Sequence, residues 1–189
     1  AAPHGIRTVT AALDGSSAVV EVSTALTGTA DSVTYELADA EGQVLATAEG
    51  LGTVQLAANG ITPWTPETPA LYTLRVTVTA NGTADTAEQR IGIRTIQVNS
   101  ETGLLLNGQP RTMKGGCIPH DLGILGSADH AAAERRRIRL MKESGFDAIR
   151  AAHNPFGPAF LNACAERGMR AAAEALAAGV MGRTSNGPH

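Results

Sequence analysis

Two hydrophobic patterns divide the chain, one before and one after about residue 98. In the first part, apolar and polar residues alternate clearly along residues 17–26, 33–40 and 71–80. A period of two is typical of β-strands that bury one face. Turn dipeptides separate the runs, at Asp14-Gly15, Glu41-Gly42, Asn59-Gly60 and Asn81-Gly82.

This alternation predicts about seven short strands, near residues 5–12, 17–26, 33–40, 43–48, 53–57, 71–80 and 85–98. Such a spacing of short strands is typical of an immunoglobulin-like sandwich. We therefore predict that residues 1–98 form an all-β sandwich domain. The cysteine–tryptophan–cysteine pattern of antibody domains is absent, so the prediction concerns the architecture alone.

A proline-rich connection at residues 63–72 precedes the sixth predicted strand. Its three prolines exclude regular ladder pairing and indicate a rigid segment. Trp64 within it has two interpretations: a platform on which a sugar stacks, or a side chain packed over the end of the sandwich. We favour packing.

After residue 98 the pattern changes to alternating strands and helices. A hairpin is predicted at residues 99–110, around two Gly-containing turns. Beyond it we predict a strand at 112–117, a helix from Ser127 or Asp129 to about Ser144, a strand at 146–151, a helix at 158–167 and a weak strand at 169–173. The predicted apolar stripe of the first helix is Ile138, Leu140 and Met141. This order predicts the start of a parallel α/β layer.

Composition and charge exclude several partners. The 189 residues carry a net charge of −3, which argues against nucleic acid or an anionic membrane surface as a partner. The one basic run, Arg135 to Arg137, is predicted to be a solvated helix face. Aromatic residues make up only 3% of the chain, and we predict that its two cysteines, Cys117 and Cys164, are buried free thiols. The chain begins without Met, and we expect its start to be a cut.

Polar residues follow each strand predicted in the second part. They are His120 and Asp121 after the first strand, Arg150, His153 and Asn154 at and after the second, and Glu174 after the third. In a parallel barrel such loops share one face and carry the chemistry. Side chains that donate and accept hydrogen bonds suit sugar hydroxyls, so we predict a carbohydrate pocket there. No metal-type spacing supports a metal site, and no cofactor is predicted.

Several motifs resemble glycoside hydrolase family 2. Ile149, Arg150, His153, Asn154 and Pro155 match its first signature, Asn-x-Ile-Arg-x-x-His-Tyr/Asn-Pro, with Asp147 in place of the first Asn. Residues 92–94 and 105–110 are similar to the family's passage from sandwich to barrel. Residues 114–126 resemble its β-galactosidases, with Pro119 where a His is usual, and residues 168–176 are similar to a later strand, with Arg170 among the differences.

The resemblance implies that residues 99–189 are the first third of a catalytic (β/α)8 TIM barrel. It also implies a retaining hydrolase of terminal β-galactosides, whose substrate is a β-linked carbohydrate. In the family the two catalytic glutamates follow the fourth and seventh barrel strands, and the chain ends barely past the third. We therefore expect an inactive fragment with no catalytic residue of its own. The alternatives are β-glucuronidase, β-mannosidase, or a non-catalytic sandwich interaction module with a degenerate tail.

Overall fold

The computed structural model describes residues 5–119, 121–152 and 156–173. The chain divides into two compact units between Arg111 and Thr112. Among the described residues, the first unit consists of β-strands, whereas the second alternates strands with helices. No helix among the described residues is long and apolar enough to cross a membrane.

Two antiparallel sheets form the body of the first unit. Its strands are β1 (Ile6–Asp14), β2 (Ser17–Thr24), β3 (Ser32–Ala38), β4 (Val44–Glu49), β5 (Val54–Ala58), β6 (Tyr72–Ala80) and β7 (Thr83–Ile91). One sheet has the order β1-β2-β5 and the other β4-β3-β6-β7. Both contribute to one core, in which Val22 and Leu56 of the first sheet and Leu37 and Leu74 of the second are fully buried. The predicted all-β sandwich is confirmed.

The strand predicted at 85–98 is broken, and Trp64 provides the reason. After β7 ends at Ile91, a Cβ on Gly92 would lie 2.8 Å from Cδ1 of Trp64, so the backbone follows the indole surface. The Trp64 N–H donates to the Ile93 carbonyl at 2.8 Å, and the Arg94 guanidinium lies 4.7 Å from the ring centroid. Trp64 is only 1% exposed, which confirms the packing interpretation.

Three short strands follow the break and form a separate antiparallel sheet. They are β8 (Ile96–Asn99), β9 (Gly103–Leu106) and β10 (Gln109–Pro110), in the order β10-β9-β8. The β9–β10 turn contains Asn107, whose amide donates to the Trp64 carbonyl at 3.1 Å. The predicted hairpin is confirmed, and it belongs to the first compact unit.

The second unit is a β–α–β–α–β layer. It comprises β11 (Gly115–Pro119), α1 (Ala131–Glu143), β12 (Ala148–Ala152), α2 (Pro158–Arg167) and β13 (Arg170–Ala173). The three strands pair in the order β11-β12-β13, and both pairings are parallel. The predicted parallel pairing is therefore confirmed, as are the predicted bounds of α2.

The two helices contribute to one core with the strands. Ile138 of α1 and Phe160 of α2 are fully buried in a cluster with Ile149 and Ala151 of β12. Leu140, predicted to belong to the apolar stripe of α1, is 39% exposed, because it lies off the buried face that Ile138 defines. All three phenylalanines of the chain contribute to this cluster: Phe156 and Phe160 are buried in it, and Phe146 packs against it.

An ion pair joins the starts of the three strands. Asp147 Oδ2 lies 2.7 Å from Arg170 Nη2, and Asp147 Oδ1 accepts the Lys114 N–H at 2.8 Å. Arg170 Nη2 also donates to the Thr112 carbonyl at 3.0 Å. β11 begins at Gly115 and not at Thr112 as predicted, and the Lys114 N–H just before it is taken by the Asp147 side chain. Asp147 and Arg170, two of the differences from the family motifs, thus bind each other.

Burial by itself raises the pKa of the Asp147 carboxyl. The hydrogen bonds from Arg170 and the Lys114 N–H, with the charges of Arg170 and Lys142, outweigh this effect, and the net pKa lies below its usual value. A carboxyl with a depressed folded-state pKa stabilises the fold above its unfolded pKa. That stabilisation is lost as the pH falls through the folded-state pKa.

Replacing Asp147 with Asn should therefore change both the stability and its pH dependence. At pH 7 we expect Asp147→Asn to lower the free energy of unfolding by about 1–3 kcal/mol, because Arg170 is left without its counter-charge. The difference from wild type should begin to shrink below about pH 4, where the carboxyl of the unfolded chain becomes protonated, and should disappear as the pH falls through the lower folded-state pKa. Urea unfolding across this pH range measures both effects. Asp85→Asn, at an exposed position of β7, serves as control; a pH-independent difference would contradict the account.

Candidate functional site

The carboxyl ends of β11 and β12 meet at one edge of the parallel sheet. Pro119 and Ala152, the last residues of the two strands, are register partners, so the loops that follow leave from the same edge. Asp121 lies in the first of these loops, and Arg150 is the middle residue of β12, two residues before its carboxyl end. His120, His153, Asn154 and Glu174 lie outside the described residues, and their roles stay predictions.

Arg150 projects from the sheet face opposite the helix-covered core. It is exposed between buried neighbours, whereas Ile149 and Ala151 belong to the core that the helices cover. Its register partners Cys117 and Ala172 are exposed as well. We call the row of Cys117, Arg150 and Ala172 the open face.

Cys117 contacts Arg150 on the open face. Arg150 Nη1 donates to Cys117 Sγ at 3.4 Å. Both cysteines are free thiols, but the prediction that Cys117 is buried was wrong, because its strand presents alternate residues to the open face. Cys164 lies in the helix-covered core, where burial and the nearby Glu134 charge, partly offset by Arg137, raise the thiol pKa to about 12.

Asp121 shapes the loop that follows β11. Its Oδ1 accepts the Gly123 N–H in a tight turn, and its own N–H donates to the Pro119 carbonyl at 2.9 Å. A one-turn 3-10 helix, Gly123–Leu125, follows. One carboxylate oxygen of Asp121 is thus engaged within the loop, and Asp121 remains exposed at the sheet edge.

Arg137 lies on the helix-covered side and was not recognised from the sequence. The basic run was predicted to be fully solvated, which was wrong for this residue: its side chain is 17% exposed, and that of its partner Glu134 is 2% exposed. Arg135 and Arg136 are exposed as predicted. The signal in the sequence was the spacing of Glu134 and Arg137, which places opposite charges one helical turn apart.

Asp129 holds the start of α2. Its Oδ2 accepts the Ala159 N–H at 3.0 Å, and its carboxylate fills the space that a side chain on Gly157 would need. The sequence predicted that Asp129 or Ser127 would cap α1, but α1 begins after His130 without a side-chain cap. Asp129 instead satisfies an N-terminal N–H of the other helix.

The described part of this edge carries groups that can form hydrogen bonds. A guanidinium and a carboxylate both form hydrogen bonds to hydroxyl groups. The three parallel strands contain no Asp or Glu, so they supply no pair of carboxylates for acid–base work. Within residues 5–119, 121–152 and 156–173, no group of three His, Cys, Asp or Glu side chains could hold a metal ion.

Comparison with known proteins agrees with the resemblance in the sequence motifs. The model of "Glycosyl hydrolases family 2" matches residues 6–94. The β-galactosidase BoGH2A of Bacteroides ovatus is 33% identical over 180 residues, covering 87% of this chain and 21% of that protein.

Solved structures extend the similarity to both units. A family 2 member from Bacteroides cellulosilyticus superposes with a TM-score of 0.82 at 31% identity, over 90% of this chain and 26% of that chain. A β-glucuronidase of Ruminococcus gnavus, in complex with D-glucuronic acid, gives a TM-score of 0.81 at 27% identity, over 89% of this chain and 29% of that chain. Residues 6–94 therefore form a domain of glycosyl hydrolase family 2, and the similarity to family members extends over most of the chain. The chain spans roughly a fifth to under a third of the length of these relatives.

The contact between Asp129 and α2 can be tested, because it holds the helix that follows the loop after β12. We expect Asp129→Ala to lower the free energy of unfolding by about 1 kcal/mol, the usual cost of losing a helix cap, and to speed amide exchange at Ala159. Asp129→Asn keeps an oxygen acceptor and should retain most of the stability. Equal losses in the two variants, measured by urea unfolding, would mean that the contact is not a cap.

Proposed function

We propose that this chain is part of a retaining glycoside hydrolase that acts on terminal β-galactosides or related β-glycosides. The observation that carries the proposal is the parallel layer of β11, β12 and β13, which projects Arg150 from its open face and has Asp121 at its carboxyl edge. Similarity to the family supports it, because a curated relative that matches over 87% of this chain is named a β-galactosidase.

The second unit is, in this proposal, the beginning of a TIM barrel. A strand–helix–strand crossover repeated in one direction builds such a barrel, with the helices outside and the other sheet face inside. The open face of Cys117, Arg150 and Ala172 would then be part of the inner wall. The domain boundary predicted at residues 98 and 99 assigns the hairpin to the barrel, whereas the compact units divide after Arg111.

Sugar contacts are assigned to the loops at the carboxyl edge. Arg150 supplies guanidinium donors from the open face, and Asp121 supplies a carboxylate oxygen from the loop after β11. His120, His153, Asn154 and Glu174 complete the predicted set of substrate-binding or supporting groups. Such groups orient the sugar ring, because each hydroxyl both donates and accepts hydrogen bonds.

Hydrolysis itself needs two further carboxylic acids. In a retaining enzyme one protonates the leaving oxygen and the other attacks the sugar, with the two groups about 5–5.5 Å apart. We assign both to sequence beyond this chain, because the family resemblance puts them after later barrel strands. Glu174 is assigned to neither role.

A β-glucuronidase is the second candidate. It is favoured by the similarity to the Ruminococcus gnavus enzyme bound to D-glucuronic acid. An exposed guanidinium such as that of Arg150 pairs well with a sugar carboxylate. Nothing in the described residues favours β-mannosidase. A non-catalytic interaction module is the alternative in which Arg150 and Asp121 bind no sugar.

We expect the purified 189-residue chain to release no chromophore from a p-nitrophenyl β-galactoside or β-glucuronide above the blank, because the proposal assigns the catalytic pair to later barrel strands. A longer polypeptide that carries the remaining barrel strands should hydrolyse one of them with retention, and the preferred substrate decides between the two candidates. Turnover by the short chain that disappears in Glu174→Gln would contradict the assignment of Glu174. An inactive longer polypeptide would favour the interaction module.

A further inference from the structure

One side chain, Arg137, contacts both loops that leave the carboxyl edge of the sheet. Its Nη1 donates to the Asp121 carbonyl at 2.7 Å, in the loop after β11. Its guanidinium also lies 5.2 Å from the ring centroid of Phe156 and 5.5 Å from that of Phe160. Phe156 is the last residue but one before α2, at the end of the loop after β12.

Glu134 fixes the guanidinium in this position. Arg137 Nη2 donates to Glu134 Oε1 at 2.7 Å and to Oε2 at 2.6 Å, and Nε donates to Oε2 at 3.0 Å. A planar guanidinium held by a carboxylate loses the freedom to rotate, so its remaining N–H points in one direction. In Arg137 that N–H points at the Asp121 carbonyl.

The aromatic contact fixes the second loop against the same group. Phe156 and Phe160 have ring centroids 4.0 Å apart, and both are buried. A cation near aromatic rings is more strongly attracted where water is excluded. Movement of Arg137 would therefore disturb the Asp121 loop and the Phe156 end of the other loop together.

We propose that Arg137, fixed by Glu134, is a positioning residue that sets the placement of the two sugar-binding loops relative to each other. The proposal rests on the proposed function, which assigns sugar contacts to those loops. Arg137 itself does not touch the substrate. It acts through the Asp121 backbone and the Phe156 ring, from the side of the sheet opposite the open face.

Two variants separate positioning from simple charge neutralisation. Arg137→Lys keeps a cation for the buried Glu134, but a single ammonium cannot reproduce the fork to Glu134 together with the bond to Asp121. The double variant Glu134→Gln with Arg137→Met removes both charges, so that no buried charge is left unpaired. Should the double variant fail to fold, Arg137→Lys carries the test alone.

Amide hydrogen exchange on the 189-residue chain reads out loop placement. The Leu122 N–H donates to the Gly126 carbonyl at 2.8 Å and the Gly126 N–H to the Gly123 carbonyl at 2.9 Å, so both report on the Asp121 loop. We expect these two amides to exchange about tenfold faster in each variant. The amides of Ile149 and Ala151 in β12 should keep their wild-type rates.

Sugar binding supplies the functional readout. Titration with methyl β-D-galactoside, followed by the amide shifts of Asp121 and Arg150, should give an affinity about tenfold weaker in both variants. Arg139→Met is the matched control, because Arg139 pairs with the exposed Glu143 one turn along the same helix, at 3.0 Å, and with no other residue of the described part of the chain. It should change neither exchange nor affinity.

The proposal is overturned if Arg137→Lys shows wild-type exchange at Leu122 and Gly126. Any cation that neutralises Glu134 would then be enough to hold the Asp121 loop. The proposal is equally overturned if the loop loosens while the sugar affinity stays at the wild-type value. A wild-type chain that does not respond to the sugar contradicts the proposed function instead. In that case the exchange rates alone decide whether Arg137 holds the loops.

Discussion

The second unit depends on one constraint of parallel sheets: consecutive strands need crossovers, and the crossovers cover a face of the sheet. In this chain α1 and α2 bury Ile149 and Ala151 on one face of β12. The other face presents Arg150 between Cys117 and Ala172. The same constraint brings the carboxyl ends of β11 and β12 to one edge, so the two loops that carry candidate binding groups leave from the same side of the sheet.

Charged pairs hold this unit at both ends of its strands. Asp147 and Arg170 join the amino ends, while Glu134 and Arg137 support the loops at the carboxyl ends. A buried ion pair costs desolvation, and hydrogen bonds must satisfy its remaining atoms for the cost to be offset. Both pairs meet that condition largely through backbone carbonyls, although Arg170 Nη1 is buried without a partner among the described residues.

Local patterns predicted the elements well. Pro158 lies in the first turn of α2, and Gly168 ends the helix in a left-handed conformation, as these residue types usually do. The alternation around Leu37 and Leu74 predicted the sandwich strands. Contacts between distant residues could not be predicted from local pattern. The Asp147–Arg170 pair joins residues of two different strands, and Asp129 caps α2 although it precedes α1 in the chain. Trp64 interrupts a strand that alternation alone would continue past Gly92.

The central claim is that the open face becomes the inner wall of a barrel, and the reactivity of Cys117 tests it most directly. The native 189-residue chain should react with a thiol reagent at the exposed Cys117, with the buried Cys164 as an internal control. In a longer polypeptide that carries the remaining strands, the packed barrel interior should protect Cys117. Equal reaction rates of Cys117 in the two proteins would contradict the claim.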